Sequence, residues 1–114
     1  MAIDVSIRNE LIRRARDKRL RQSVWKSTEP CCWHPYRVLH PVIGIPFTEL
    51  SAWNFIADLL SAGHDVTTIA LEKPPGQIGY VLKTAGYAGC PEIYIKLTLS
   101  SRYINGRSFH DSEY

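Results

Sequence analysis

The chain has 114 residues and a mass of 13.0 kDa, is 45% hydrophobic and 22% charged, and carries a net charge of +3. These are the proportions of one globular domain able to bury its own core. No apolar run reaches the roughly 18–20 residues of a membrane helix, and Met1-Ala2-Ile3-Asp4 turns charged at once, which excludes a membrane protein, a secreted disulfide scaffold and a multidomain enzyme and leaves a small cytoplasmic protein as the expectation.

Residues 3–23 read as a helix within a basic N-terminal block, 1–28. Ile3, Ile7, Leu11 and Ala15 recur every four positions, with Ile12 and Leu20 beside them, and basic residues cover most of the circumference. Residues 1–26 have a net charge of +5 and the rest of the chain −2. A stripe so narrow suits docking more than deep burial. Arg13, Arg14 and Arg16 are therefore candidates for binding RNA or a partner protein. The bland alternative is a solvated helix face.

Residues 29–48 contain Pro30, Pro35, Pro41 and Pro46, which forbid a long helix. Trp33, Tyr36, Val38, Ile43 and Phe47 make the segment too apolar for a linker, so it is expected to wrap over the core. Residues 49–62 read as the second helix, with Thr48 as N-cap, Glu49 in the first turn and Gly63 as the stop. Ala52, Trp53, Ile56, Leu59 and Leu60 share one face and should cover a sheet.

The remainder reads as four strands, Val66–Leu71, Ile78–Lys83, Glu92–Leu99 and Tyr103–His110, followed by a mobile tail from Asp111. Residues 49–114 thus form a helix-plus-sheet unit. The whole chain is one α+β domain with helices packed on a four-stranded, mainly antiparallel sheet.

Cys31-Cys32-Trp33-His34, with His40, His64 and Cys90, invites a metal reading. Zinc thiolates are normally separated by two to four residues so that both reach one tetrahedron, so no metal and no cofactor are expected. Adjacent cysteines also disfavour a disulfide. In Ile93-Tyr94-Ile95-Lys96-Leu97 the aliphatic residues alternate with a phenol and an ammonium. On a sheet face without a helix, those two groups can hold a phosphodiester. Gly106-Arg107-Ser108-Phe109-His110 adds an anion clamp and a group titrating near neutrality. A two-residue turn in the last hairpin puts Arg107 on the face of Tyr94, and a three-residue turn puts His110 there.

Three short motifs in order carry a resemblance: Gln77 with Tyr80; Ile93-Tyr94-Ile95-Lys96-Leu97-Thr98; and Ser108-Phe109-His110. Over about residues 63–112 the chain resembles the MqsR-type toxins, endoribonucleases of bacterial toxin–antitoxin pairs with a RelE-like fold. His110 stands where better-known members carry Lys, and the N-terminal helix and wrap have no counterpart there. The resemblance implies a RelE-like fold, RNA (an mRNA) as substrate, a cognate antitoxin as partner, and functional roles for Gln77 and Tyr94.

With the residues above, it implies a metal-independent endoribonuclease acting by 2′-OH attack. His110 and Tyr94 share the acid–base work, Arg107 and Gln77 assist, and Lys96, Lys83 and Lys73 supply substrate-binding cations. The competing reading is a non-catalytic nucleic-acid- or partner-binding module that uses the basic helix. A third is the same nuclease fold as an effector toxin with an immunity partner.

Overall fold

The computed structural model describes residues 3–23, 32–71 and 76–112. Asp4 starts helix α1 (Val5–Arg16) by accepting the Ser6 amide at 2.8 Å. Arg13, Arg14 and Arg16 fall in the last turn, where the helix dipole favours cations. The helix is shorter than the expected 3–23. The Asp17 side chain accepts the Arg19 amide at 3.0 Å, a local bond that competes with helix continuation. The chain turns over 18–20 and pairs as β1 (Arg21–Gln22).

The narrow stripe of α1 is also buried more deeply than expected. Leu11 and Ala15 are fully buried in the common core. Two α1 cations bind backbone carbonyls elsewhere. Arg8 Nη1 donates to the Leu60 carbonyl at 3.0 Å, and Arg14 Nη1 donates to the Ser100 and Tyr103 carbonyls at 2.8 and 3.0 Å.

The wrap contains β2 (Cys32–Trp33), a 3₁₀ turn at Pro35–Arg37, and a loop closed by a bridge between Leu39 and Pro46. Helix α2 (Glu49–Ser61) follows the expected signals. Thr48 and Ser51 form a reciprocal capping box, and Gly63 adopts φ +82°, a left-handed conformation suited to glycine.

Strands β3 (Thr67–Ala70), β4 (Ile78–Thr84), β5 (Ile93–Leu99) and β6 (Ile104–Asp111) form the expected antiparallel ladder. The sheet has two further strands, however. β1 and β2 both pair parallel with the outer edge of β6, making a six-stranded mixed sheet. The segments flanking the helices thus run back along an edge that would otherwise expose unpaired backbone. The C-terminal residues also depart from expectation: Asp111 closes β6, and the Ser112 amide donates to the Glu92 carbonyl at 2.7 Å.

The core lies between the helices and one face of the sheet. Trp53, Ile56 and Leu60 of α2 join Leu82, Ile95, Leu97 and Phe109, all at most 1% exposed. Trp33 packs 5.1 Å from Trp53 and 5.5 Å from Phe109, centroid to centroid. Both indole N–H groups donate to the Glu49 carboxylate, at 2.9 and 3.0 Å. Among the described residues, no helix is long and apolar enough to cross a membrane.

Candidate active site

Strand alternation sends every second residue of β4, β5 and β6 to the face opposite the one on which α1 and α2 pack. Cross-strand register aligns Lys83, Tyr94 and His110 in one row. The neighbouring row holds Lys96 opposite Ser108. A register shift between Lys96 and Leu97 pairs Lys96 with Ser108 but Leu97 with Gly106, so Arg107 is an extra residue in β6. Neither expected turn is present, since residues 100–103 connect Leu99 to Ile104, and the bulge decides which residue faces Tyr94. The connection keeps one register near the turn, the bulge changes it, and beyond it Tyr94 faces His110. The Tyr94 and His110 rings stack at 5.4 Å with a 20° interplanar angle.

The row continues onto β2. Cys32 and Trp33 pair with Ser108 and Phe109, and the His34 amide donates to the Phe109 carbonyl at 3.0 Å. His34 therefore lies beside His110, close enough for a charge on His110 to act on it. Past it, the Tyr36 hydroxyl and His34 Nδ1 share a hydrogen bond at 3.3 Å. The Arg37 guanidinium lies 5.6 Å from the Tyr36 ring centroid. Four segments thus contribute Lys83, Tyr94, His110 and His34–Tyr36–Arg37 to one strip.

The protonation states follow from the surroundings. Burial, together with the Arg37 and His110 charges, holds the His34 imidazole below its usual pKa. Burial pushes the Tyr94 phenol up, so it remains protonated well past neutrality. His110 Nδ1 lies 2.7 Å from the Asp111 carbonyl oxygen. A carbonyl only accepts, which assigns a proton to that nitrogen and makes Nε2 the basic atom of the neutral ring. The strip is exposed at both ends, at Lys83 on one side and at Tyr36 and Arg37 on the other. It closes toward Arg107, Ser108 and Thr98, which are buried.

The expected site residues divide into groups. Tyr94, His110, Lys83 and Lys96 come together, with Arg107 at the bulge. Gln77 precedes β4 on the same alternation but stands six residues from Lys83, about 20 Å along a strand. Its Oε1 is buried without a hydrogen-bond partner among the described residues. Lys73 and Cys31 lie outside the described residues.

The α1 arginines are engaged within the fold. Arg13 and Arg14 pair with Glu10 at 2.7 and 2.6 Å, and Arg16 with Asp58 at 3.1 Å. Sequence reasoning missed His34, Tyr36 and Arg37 as members of the site. His34 was visible only as a possible metal ligand, and its alternation with Tyr36 was the available signal. Nothing local indicates that residue 33 pairs with residue 109.

Among the described residues, no three His, Cys, Asp or Glu side chains are grouped to hold a metal ion. Comparison of the chain with family models, curated proteins and solved structures finds no match.

Proposed function

We propose that this chain is a metal-independent endoribonuclease, the toxin of a cytoplasmic toxin–antitoxin pair with a RelE-like architecture. The observation that carries the reading is the alignment of Tyr94 on β5, His110 on β6 and His34 just past the end of β2. Cleavage by 2′-OH attack needs a base, an acid and charge stabilisation at the phosphoryl oxygens, and these side chains supply all three.

His34 is the base, because its lowered pKa keeps it neutral near pH 7. In the tautomer that donates Nδ1–H to the Tyr36 hydroxyl, Nε2 accepts the 2′-OH proton. The 2′-oxygen bonds to phosphorus and the P–O5′ bond breaks. Protonated His110 gives its Nε2 proton to the departing O5′, leaving a 2′,3′-cyclic phosphate and a 5′-hydroxyl. Tyr94, still carrying its proton, donates to a phosphoryl oxygen, and Lys83, Lys96 and Arg107 set a positive field around the phosphate. Gln77, being remote along β4, contacts RNA away from the reacting phosphate.

The test is purified protein with single-stranded RNA in EDTA, reading out cyclic phosphate ends. His110→Ala and His34→Gln should each slow turnover by about 10²–10⁴-fold, with RNA affinity nearly intact, and Tyr94→Phe should slow it less. Absence of cleavage by the wild type, with or without ribosomes, overturns the reading. So does full activity of both histidine variants. The binding-module alternative has less support, because Arg14 and Arg16 already serve intramolecular contacts.

A further inference from the structure

Resting on the ribonuclease reading, we infer that Tyr36 and Arg37 form a base-stacking subsite for an unpaired nucleotide flanking the scissile phosphate. Tyr36 is 58% exposed, yet its backbone is held firmly. The 3₁₀ turn at Pro35–Arg37 begins at buried Pro35 and is followed by buried Val38, whose amide donates to the Pro35 carbonyl at 3.0 Å.

The ring is held from two sides as well. Its hydroxyl is hydrogen-bonded to His34 Nδ1, the His34 ring meets it edge-on at 5.9 Å and 79°, and the Arg37 guanidinium lies over it. An exposed aromatic ring held in one orientation contributes little to a core. It is a preorganised platform for a flat apolar ligand that carries negative charge nearby. A nucleobase with its phosphate has that chemistry. The base stacks on the ring, and Arg37 neutralises the phosphate.

Position makes the ligand specific. Tyr36 is the next side chain after His34 along the strip that begins at Tyr94 and His110. A strand of RNA whose phosphate lies between the two histidines therefore passes its neighbouring base over Tyr36. Bases in a duplex are already stacked on one another, so the subsite selects single-stranded RNA.

The experiment measures binding of a short 5′-labelled single-stranded RNA of mixed sequence by fluorescence anisotropy in EDTA. It uses the His110→Ala protein to prevent cleavage. Adding Tyr36→Ala should weaken binding by about 5–150-fold, whereas Tyr36→Phe, which keeps the ring but loses its hydroxyl contact, should weaken it much less. Scanning an abasic nucleotide through the RNA should find one position that weakens the parent similarly and has little effect in the Tyr36→Ala background. The scan on the Tyr36-containing protein decides the matter even if the alanine variant folds poorly.

Unchanged affinity of Tyr36→Ala, a flat abasic scan, duplex bound as tightly as single strand, or no RNA binding at all would each overturn the subsite. Tyr36-dependent binding by a protein that never cleaves would defeat the ribonuclease reading and leave the subsite standing. Cleavage with Tyr36-independent binding would do the reverse.

Discussion

Gly106 shows how a single atom position governs the site. A Cβ there would collide with the Trp33 ring, which lies against the glycine on the core face. Trp33 is the residue before His34, so the fit of that ring sets where the second histidine stands. Gly106→Ala should destabilise the fold by about 1–3 kcal/mol through overpacking. Cleavage should fall by more than the loss of folded protein explains, which comparing activity with the folded fraction from circular dichroism would reveal.

His34 offers a second residue-level expectation. Among the described residues, the groups facing it include Arg37, His110 and Tyr36. Burial, Arg37 and His110 all disfavour its proton, so the acidic limb of the kcat/KM profile should lie below the ordinary imidazole range near 6.5. His34→Gln should leave a much slower enzyme whose profile lacks that limb. A limb that survives unchanged in the variant would place the base elsewhere.

At the scale of elements, α1 is a structural component whose cations are partly spent on the fold. Leu11→Ala should cost about 2–5 kcal/mol, as other buried leucines do. Arg14→Gln should cost about 1.5–3 kcal/mol, because it removes charged hydrogen bonds to two carbonyls in the β5–β6 connection. Arg13→Gln should leave the urea midpoint near wild type, since its ion pair with Glu10 is well exposed. Urea titrations of the three variants would check this ordering. Arg13 is accordingly the substitution that tests RNA binding by α1 without disturbing its packing.

For the whole molecule, stability should fall on acidification in two stages. His34 has a folded-state pKa below its unfolded value. Below about pH 6.5 the unfolded chain takes up a proton that the folded one resists, so stability declines as pH drops through the folded value. Glu10 is held at about 2 by hydrogen bonds from Arg13 and Arg14. Its contribution is present above the ordinary glutamate range and is lost as pH falls toward that value. Thermal midpoints measured from pH 7 to pH 3 should decline throughout, and His34→Gln should flatten the upper part of the curve. A midpoint that rises between pH 7 and pH 5 would contradict a folded state that disfavours the His34 proton.

Much of this architecture was legible because its causes are local. The Thr48 cap, the Gly63 stop and the apolar face of α2 sit within a few turns of one another. The alternation in Ile93–Leu99 assigns the two faces of β5 without reference to any partner. Tyr94 and Lys96 on the face away from the helices followed from that alternation, and the antiparallel ladder followed from strand order. The sequence by itself therefore determined the α+β class and half of the candidate site.

Only the tertiary structure decided the other half, since it depends on contacts between distant residues. The bulge at Arg107 sets whether His110 faces Tyr94, and a register shift has no local sequence signature here. The return of the wrap along β6 brings His34 to His110 across more than seventy positions. It is held there by indole packing on Gly106 and by Glu49. Parallel pairing at that separation is selected by core shape and by the need to cover the β6 edge, and neither is written in the periodicity of residues 32–37.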